Sequence, residues 1–518
     1  MDSRHSSKNG GSNSRSNLRD SMSKKQKNGV GEVDKTLDDR ISELPDALLV
    51  QILSLLLTKD AVASCVLSNR WRYLWNSIHN FHFAGSNYYN KVENFVSLVD
   101  HVLTHCSCSK IKKFQLDLPE NPEWNFDSNI SQWINFAVER EVEDVVLCSY
   151  DEDATFELPI CICNCSSLIT LDWRCCVLDN ESVIEWKSLK SLKLDYIFID
   201  DDDLVKILLG CPALETLELS FFDGFRRLEI TSSNLKRLTL VRHWWFYGRV
   251  EDPLEIIAPY LQHLEILGDL EYLKCRLVNV SSLVTARLTF NITCITNIVE
   301  VNLNAQHGGC GDYHQDFRNL VLDYLQKLSY VAELTIGWWL AEVVFMLRLK
   351  GASLPKLKCN CLTLEMYVTK YNLCGVASLL RNSPLLETLN IHLRVGPLHD
   401  FRCPLELSYL ANVNYIDLQC WFSNIMFANL KNVKIVGCVG VCLKRFGRGN
   451  DKLFELSKFL LKNALTLKKF VIVSEKRICS KCSESCVSQY LSRLAKKLFD
   501  CPRSSKKFGI TYEESALE

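Results

Sequence analysis

Three cysteines near the C-terminus, Cys479, Cys482 and Cys486, form Cys-x2-Cys-x3-Cys, a spacing from which thiolates can share a metal ion. A structural zinc needs four thiolate or imidazole ligands, and no second paired motif follows to supply the fourth. The expectation is therefore no metal and no other cofactor. Cys161, Cys163 and Cys165 alternate as strand or turn packing would place them. His101 and His105 share a helix face at i, i+4, but the Glu of a zincin motif is absent. The acidic run 200–203 falls at an expected helix start, where the helix dipole accounts for it. The chain has no dinucleotide-binding glycine fingerprint, no P-loop and no Gly-x-Ser-x-Gly. No catalytic constellation emerges, which points away from an enzyme.

What remains to explain is the scaffold. The chain has 518 residues, of which 47% are hydrophobic, enough apolar material for an extensive core. Its 60 basic and 61 acidic residues leave a formal charge of -1, which gives no support for nucleic-acid binding by charge. No apolar run reaches the ~18 residues of a membrane span; the best, 338–349, is short and carries Glu342. No membrane partner is expected. The N-terminus shows no apolar segment behind its charges, so no secretory signal is expected. The 24 cysteines then read as reduced, mostly buried small hydrophobes. Residues 1–36 are Ser-, Asn-, Gly- and Lys/Arg-rich and are expected to be a disordered tail.

At residue 37 the composition changes. Pro45 and Asp46 suit the first turn of a helix, and Leu48, Leu49, Ile52, Leu53, Leu55, Leu56 and Leu57 cover more than one of its faces. Thr58 and Asp60 start a second helix. Ser68 is placed to cap a third, with Trp71, Leu74 and Trp75 at helical spacing. So small a domain cannot bury this much Leu and Trp by itself, which argues for a permanent partner. Leu44-Pro45, the 52–54 segment, Leu67-Ser68 and the 70–75 ending closely resemble an F-box, in the variant of plant F-box proteins with leucine-rich repeats. The resemblance covers residues 37–80.

From residue 111 a unit apolar-x-x-apolar-x-apolar recurs. Successive copies at 168, 189, 214, 235, 261 and 283 keep the ~20–29 residue period of leucine-rich repeats. Their last two apolar residues alternate as a one-sided strand requires. Helical pieces such as 201–209 and 376–380 intervene, and Pro212, Pro259 and Pro384 mark returns to the sheet. The wider gap before 331 predicts an insertion with a helix near 313–328. Residues 382–389, 429–433 and 455–472 resemble the FBD domain that ends many such proteins. The 455–472 segment is read as a helix–strand unit closing the solenoid. The fold class is thus α/β: a three-helix F-box (37–80) and degenerate repeats (81–380) with parallel strands on one face and helices on the other. An FBD region and cap (381–518) follow.

Aromatic clusters follow several strands. Phe222, His243 and Trp339 should point inward, leaving Phe221, Trp244, Trp245 and Trp338 toward one rim, where Trp and Tyr make binding hot spots. The resemblance makes the role concrete. It implies the substrate-recognition subunit of an SCF-type cullin-RING ubiquitin ligase, working in nucleus and/or cytoplasm. The F-box would bind a Skp-type adaptor, and through it cullin and RING subunits, while the repeats bind a protein target. Adaptor contacts would come from Leu44, Pro45, Leu48, Leu49, Ile52, Leu53, Leu67, Trp71 and Trp75, some of which must instead form the module's own core. Two alternatives are an F-box-like interaction protein that delivers no substrate and a small-molecule receptor acting through the repeat surface.

Overall fold

Strict alternation along short segments dictates most of the backbone. In a strand such as Ser191–Ile199, Leu192 and Leu194 are buried while Lys193 and Asp195 face the other side. The computed structural model describes residues 41, 43–86, 91–121, 123–149, 151, 155–178, 182–243, 253–270, 273–291, 310–367, 369–394, 420–421, 425–437, 452–475, 486–505 and 509–515. The chain divides into two units, residues 1–48 and 49–518.

Among the described residues, a 15-stranded sheet runs from Asn80–Ala84 to Gly509–Ser515, its strands paired in chain order. Every pairing in it is parallel. Register aligns the repeat apolar positions into continuous rows. Leu171 pairs with Leu192, Leu192 with Leu217, Leu217 with Leu238 and Leu238 with Leu264. Those five leucines are essentially inaccessible. The prolines act as expected: each takes the second position of a turn before the next strand. Leu214 N–H donates to the Cys211 carbonyl (3.1 Å), Leu261 to Ala258 (3.2 Å) and Leu386 to Ser383 (3.3 Å).

The layer behind the sheet is not helical throughout. Asp201–Gly210 is the expected helix, with Asp200 Oδ1 accepting from Asp203 N–H (2.8 Å) at its N-terminus. Next along the chain, however, a second parallel sheet of Arg227–Glu229, Leu254–Ile257 and Cys275–Asn279 replaces the helices. The alternating Leu254/Ile256 and Cys275/Leu277 in these connections form strands that bury one face. The insertion helix, Cys310–Lys327, lies along the edge strand Cys275–Asn279 of this sheet. Tyr324 and Lys327 donate to the Cys275 and Leu277 carbonyls at that contact.

Further on, helices return. Trp338–Leu349 is buried along nearly its whole length. Its Glu342 accepts from Asn372 Nδ2 (2.8 Å), which explains a carboxylate in so apolar a helix. No helix among the described residues is long and apolar enough to cross a membrane. Lys370–Arg381 packs against it so closely at Gly375 that a β-carbon there would lie 1.9 Å from the Ala341 carbonyl oxygen. Helix Lys452–Asn463 and strand Lys469–Glu475 match the expected 455–472 unit, but that unit does not close the sheet. Helix Cys486–Phe499 and strand Gly509–Ser515 add one more.

The helical module reads as Asp46–Leu53, Thr58–Ala63 and two 3-10 turns, Ser64–Val66 and Trp71–Ser77. No side chain caps the last of these, so the cap expected from Ser68 is not formed.

Candidate functional site

In a helical module too small to hide its apolar residues, packing must divide them into an inner and an outer set. Leu49, Leu53, Ala61, Trp71, Trp75 and Ile78 form the inner set, all under 9% exposed. Of the expected adaptor contacts, Leu49, Leu53, Trp71 and Trp75 therefore belong to the module's core, whereas Ile52 and Leu67 are exposed. In residues 1–48, Pro45 and Leu48 are exposed and Leu44 is partly so. The outer set also holds residues outside the expected adaptor contacts: Leu55 (83% exposed), Val66 (82%), Tyr73 (65%), Leu56 and Leu57. Leu55, Leu56 and Leu57 form the turn between two helices, where an unbroken leucine run has no helix of its own to pack. That run was the available signal.

No flexible linker separates these residues from the repeats. His82 N–H donates to Thr58 Oγ1 (2.7 Å), and His79 N–H to Ser54 Oγ (3.4 Å), joining helix ends to the first strand. Trp75 stacks near His101 (ring centroids 6.4 Å apart), and Ser107 donates through both N–H and hydroxyl to the Asn76 carbonyl (2.9 and 3.1 Å). Within residues 49–518, these contacts join the helices that carry Ile52, Val66 and Leu67 to the first strands of the sheet.

The second candidate surface lies at one rim of the sheet. Cys175, just past strand Thr170–Arg174, and Tyr196, Phe221, Arg242 and Gly268, at the same place in the next four strands, all have positive φ, from 46° to 76°. The left-handed conformation costs a non-glycine residue about 1–2 kcal/mol. It resets the alternation in every strand at once without a shift of register, since Asp195 and Ile197 still pair with Ser220 and Phe222. The next residues, Ile197, Phe222 and His243, turn inward and are buried. This is why Phe222 and His243 point into the core as expected while Phe221 does not. Part of the cost is offset by stacking along the ladder. Arg174 Cζ lies 4.4 Å from the Tyr196 ring centroid, Tyr196 and Phe221 stack at 4.2 Å and 14°, and Arg242 Cζ lies 5.2 Å from Phe221. Each such contact contributes about 0.5–1.5 kcal/mol. Gly268 continues the row where Arg242 leaves no room, since a β-carbon would come within 2.5 Å of Arg242 Cγ.

Beside the ladder the sheet face is charged. Lys193 bridges Asp172 (3.8 Å) and Glu218 (3.5 Å), and Arg174 faces Asp195 (3.8 Å). Burial pushes the Asp172 and Asp195 carboxyls above their ordinary range. Farther along, Glu365 is held by Arg287 (2.7 Å) and by both Nε (2.9 Å) and Nη2 of Arg394. Burial alone would raise the Glu365 pKa, but the two guanidiniums more than offset it and hold the carboxyl below the usual range.

Of the expected rim residues, Phe221 stands on this ladder, and Trp244 and Trp245 lie outside the described residues. Trp338 is not on a rim. It is 4% exposed and packs edge-on against Tyr367 (5.4 Å, 71°). After strand Glu333–Ile336 the chain enters a helix at once, so Trp338 and the buried Trp339 both pack inside. Of the C-terminal cysteines, Cys479 and Cys482 also lie outside the described residues, and Cys486 begins a helix.

A helical module with an uncovered apolar surface, fused to a parallel repeat sheet, defines a repeat-scaffold interaction protein. The F-box domain family matches residues 41–83, and the family described as FBD-associated F-box protein At5g56370, LRR repeats, matches 130–289. The chain is 32% identical over 371 residues to the F-box/LRR-repeat protein At3g03360 of Arabidopsis thaliana, covering 69% of this chain and 71% of the relative. It is 30% identical over 448 residues to the putative F-box/LRR-repeat protein At3g18150 of the same plant (84% and 87%). With F-box/LRR-repeat protein At5g02910, also from Arabidopsis, it shares 31% over 396 residues (74% and 78%). The chain belongs to the F-box/LRR-repeat family. Proteins of this family are generally non-catalytic adaptors, and F-boxes in general bind a Skp-type adaptor.

Proposed function

We propose that this chain is the substrate-recognition subunit of an SCF-type ubiquitin ligase, acting in the nucleus and/or cytoplasm. The observation that carries the reading is the division of the F-box: its core residues are buried while Ile52, Leu55, Leu56, Leu57, Val66, Leu67 and Tyr73 remain exposed. An apolar surface of this kind on a small module marks a protein-binding site. The Skp-type adaptor would cover it, and cullin and RING subunits would join through that adaptor. The repeats would hold a protein target, with the rim at Tyr196, Phe221 and Arg242 as its contact. Residues 381–518 would be the FBD region. The chain supplies no chemistry in this scheme. It places a target near a charged conjugating enzyme, and the hydrogen-bonded joint between Thr58, Ser54 and the first strand would serve that proximity.

The test is co-purification of the full chain with a Skp-type adaptor, beside a Val66→Asp/Leu67→Asp variant. Binding lost in the variant with an unchanged thermal melt supports the reading. A wild type that is folded but does not bind removes it.

A further inference from the structure

The loop after helix Val92–His105, hydrogen-bonded to the last F-box turn through Ser107, holds a sulfur pair with no part in adaptor or target binding as described above. Helix Val92–His105 ends at Cys106, whose extended backbone (φ -66°, ψ 127°) carries the chain through Ser107 to Cys108. The two Sγ atoms lie 2.9 Å apart, inside the van der Waals contact of two sulfurs and within reach of a bond. Cys108 is 7% exposed, and Cys106 is partly open to solvent. Between them, Ser107 is fixed by its two hydrogen bonds to the Asn76 carbonyl. The geometry presents one reachable sulfur with a resolving sulfur directly behind it.

We propose that Cys106 and Cys108 are an oxidation site that closes a reversible disulfide on reaction with a hydroperoxide. The Cys106 thiolate attacks one peroxide oxygen. The O–O bond breaks and the other oxygen leaves as alcohol or water after taking a proton, so Cys106 becomes a sulfenic acid. Cys108 then attacks the Cys106 sulfur. The S–O bond breaks, water leaves with the Cys108 proton, and the S–S bond forms. Two thiols are oxidised by two electrons and one peroxide is reduced.

The thiols differ as this order requires. The hydrogen bond from Cys108 lowers the Cys106 thiol to about 7, with Arg140 assisting against burial, while the same contact and burial raise Cys108. Burial pushes Cys148 and Cys175 up to about 11 and Cys211 up to about 12, so these are poor competitors. A ring closed across a single intervening residue is strained, and strained disulfides are the readily reduced ones. The bond is therefore a reversible modification, not a structural staple. Its formation must also shift Ser107, and with it the contact to the last F-box turn.

The test is a hydrogen peroxide titration of the full-length protein, followed by differential alkylation and peptide mass spectrometry. A loss of two mass units confined to the peptide holding Cys106 and Cys108, reversed by dithiothreitol, is expected. Half-oxidation should occur at roughly tenfold lower peroxide than for Cys148, Cys175 or Cys211. Cys108→Ser should leave a sulfenic acid on Cys106 that dimedone traps, and Cys106→Ser should abolish both products. The proposal is overturned if oxidised wild type still alkylates at both positions, or if either sulfur pairs with a different cysteine first. These wild-type outcomes hold whether or not the serine variants fold.

Discussion

Truncating Leu67 to Ala separates a residue that binds from neighbours that fold. Leu67 is 65% exposed and Leu53 is 1% exposed, although both are leucines of one small helical module. Leu→Ala removes three carbons at about 0.8 kcal/mol each; scaled to the part now in water, docking loses about 1.5 kcal/mol of burial. That is roughly a tenfold weaker Kd for the Skp-type adaptor. The unfolding free energy should move by no more than about 0.5 kcal/mol, as for other exposed substitutions. Leu53→Ala instead empties a core position and should cost about 2–5 kcal/mol of stability. The assay is calorimetric titration of each variant with the adaptor, paired with a thermal melt. A Leu67→Ala variant that melts as low as Leu53→Ala, or wild-type binding by all of Leu67→Ala, Val66→Ala and Tyr73→Ala, would contradict this division of roles.

Glu365→Gln should cost on the order of 2 kcal/mol near neutral pH, less than a fully buried pair because both arginines are partly solvated. The folded Glu365 carboxyl is held below its ordinary value. Its contribution is therefore complete above the ordinary carboxylate range and is lost as pH falls through the depressed folded value. Chemical melts across the acid range should show the wild type losing an advantage that the Gln variant never had. Gly375→Ala forces two helices apart against the Ala341 carbonyl and should destabilise by about 2 kcal/mol or more; a melt within a few tenths of wild type would contradict the close packing. Gly268→Ala should cost about 1–2 kcal/mol, from its positive φ and from displacing Arg242 off Phe221. In an Arg242→Ala background the same change should cost less, which a double-mutant cycle on thermal unfolding would read.

The repeat strands were legible because their signal is local. Leu192/Leu194 and Leu217/Leu219 need only their own alternation to specify a one-sided strand, and the period between copies to specify a neighbour. The same holds for the capped helix after Asp200 and the turns at Pro212, Pro259 and Pro384. The helix that follows Gly337 was not legible. A Trp-Trp pair after a strand reads equally well as a rim, and only the packing against Tyr367 and Phe290 puts it inside. The second sheet is hidden for a related reason, since Arg227–Glu229, Leu254–Ile257 and Cys275–Asn279 are short alternating segments whose partners are one another. The ladder of Arg174, Tyr196, Phe221 and Arg242 joins residues some twenty positions apart, of which only Phe221 stands out in its own repeat.

The modular order, the helical docking element, the parallel repeats and the lack of a recognisable catalytic motif can all be read along the chain. These follow from composition, spacing and periodicity, which are properties of neighbours along the chain. Tertiary structure decided which leucines of the F-box hold its core and which face solvent. It also made the row of left-handed residues a stacked rim and brought Cys106 and Cys108 into contact beside the last F-box turn. Burial and side-chain contact depend on which surfaces meet across the fold, and a one-dimensional pattern does not contain that.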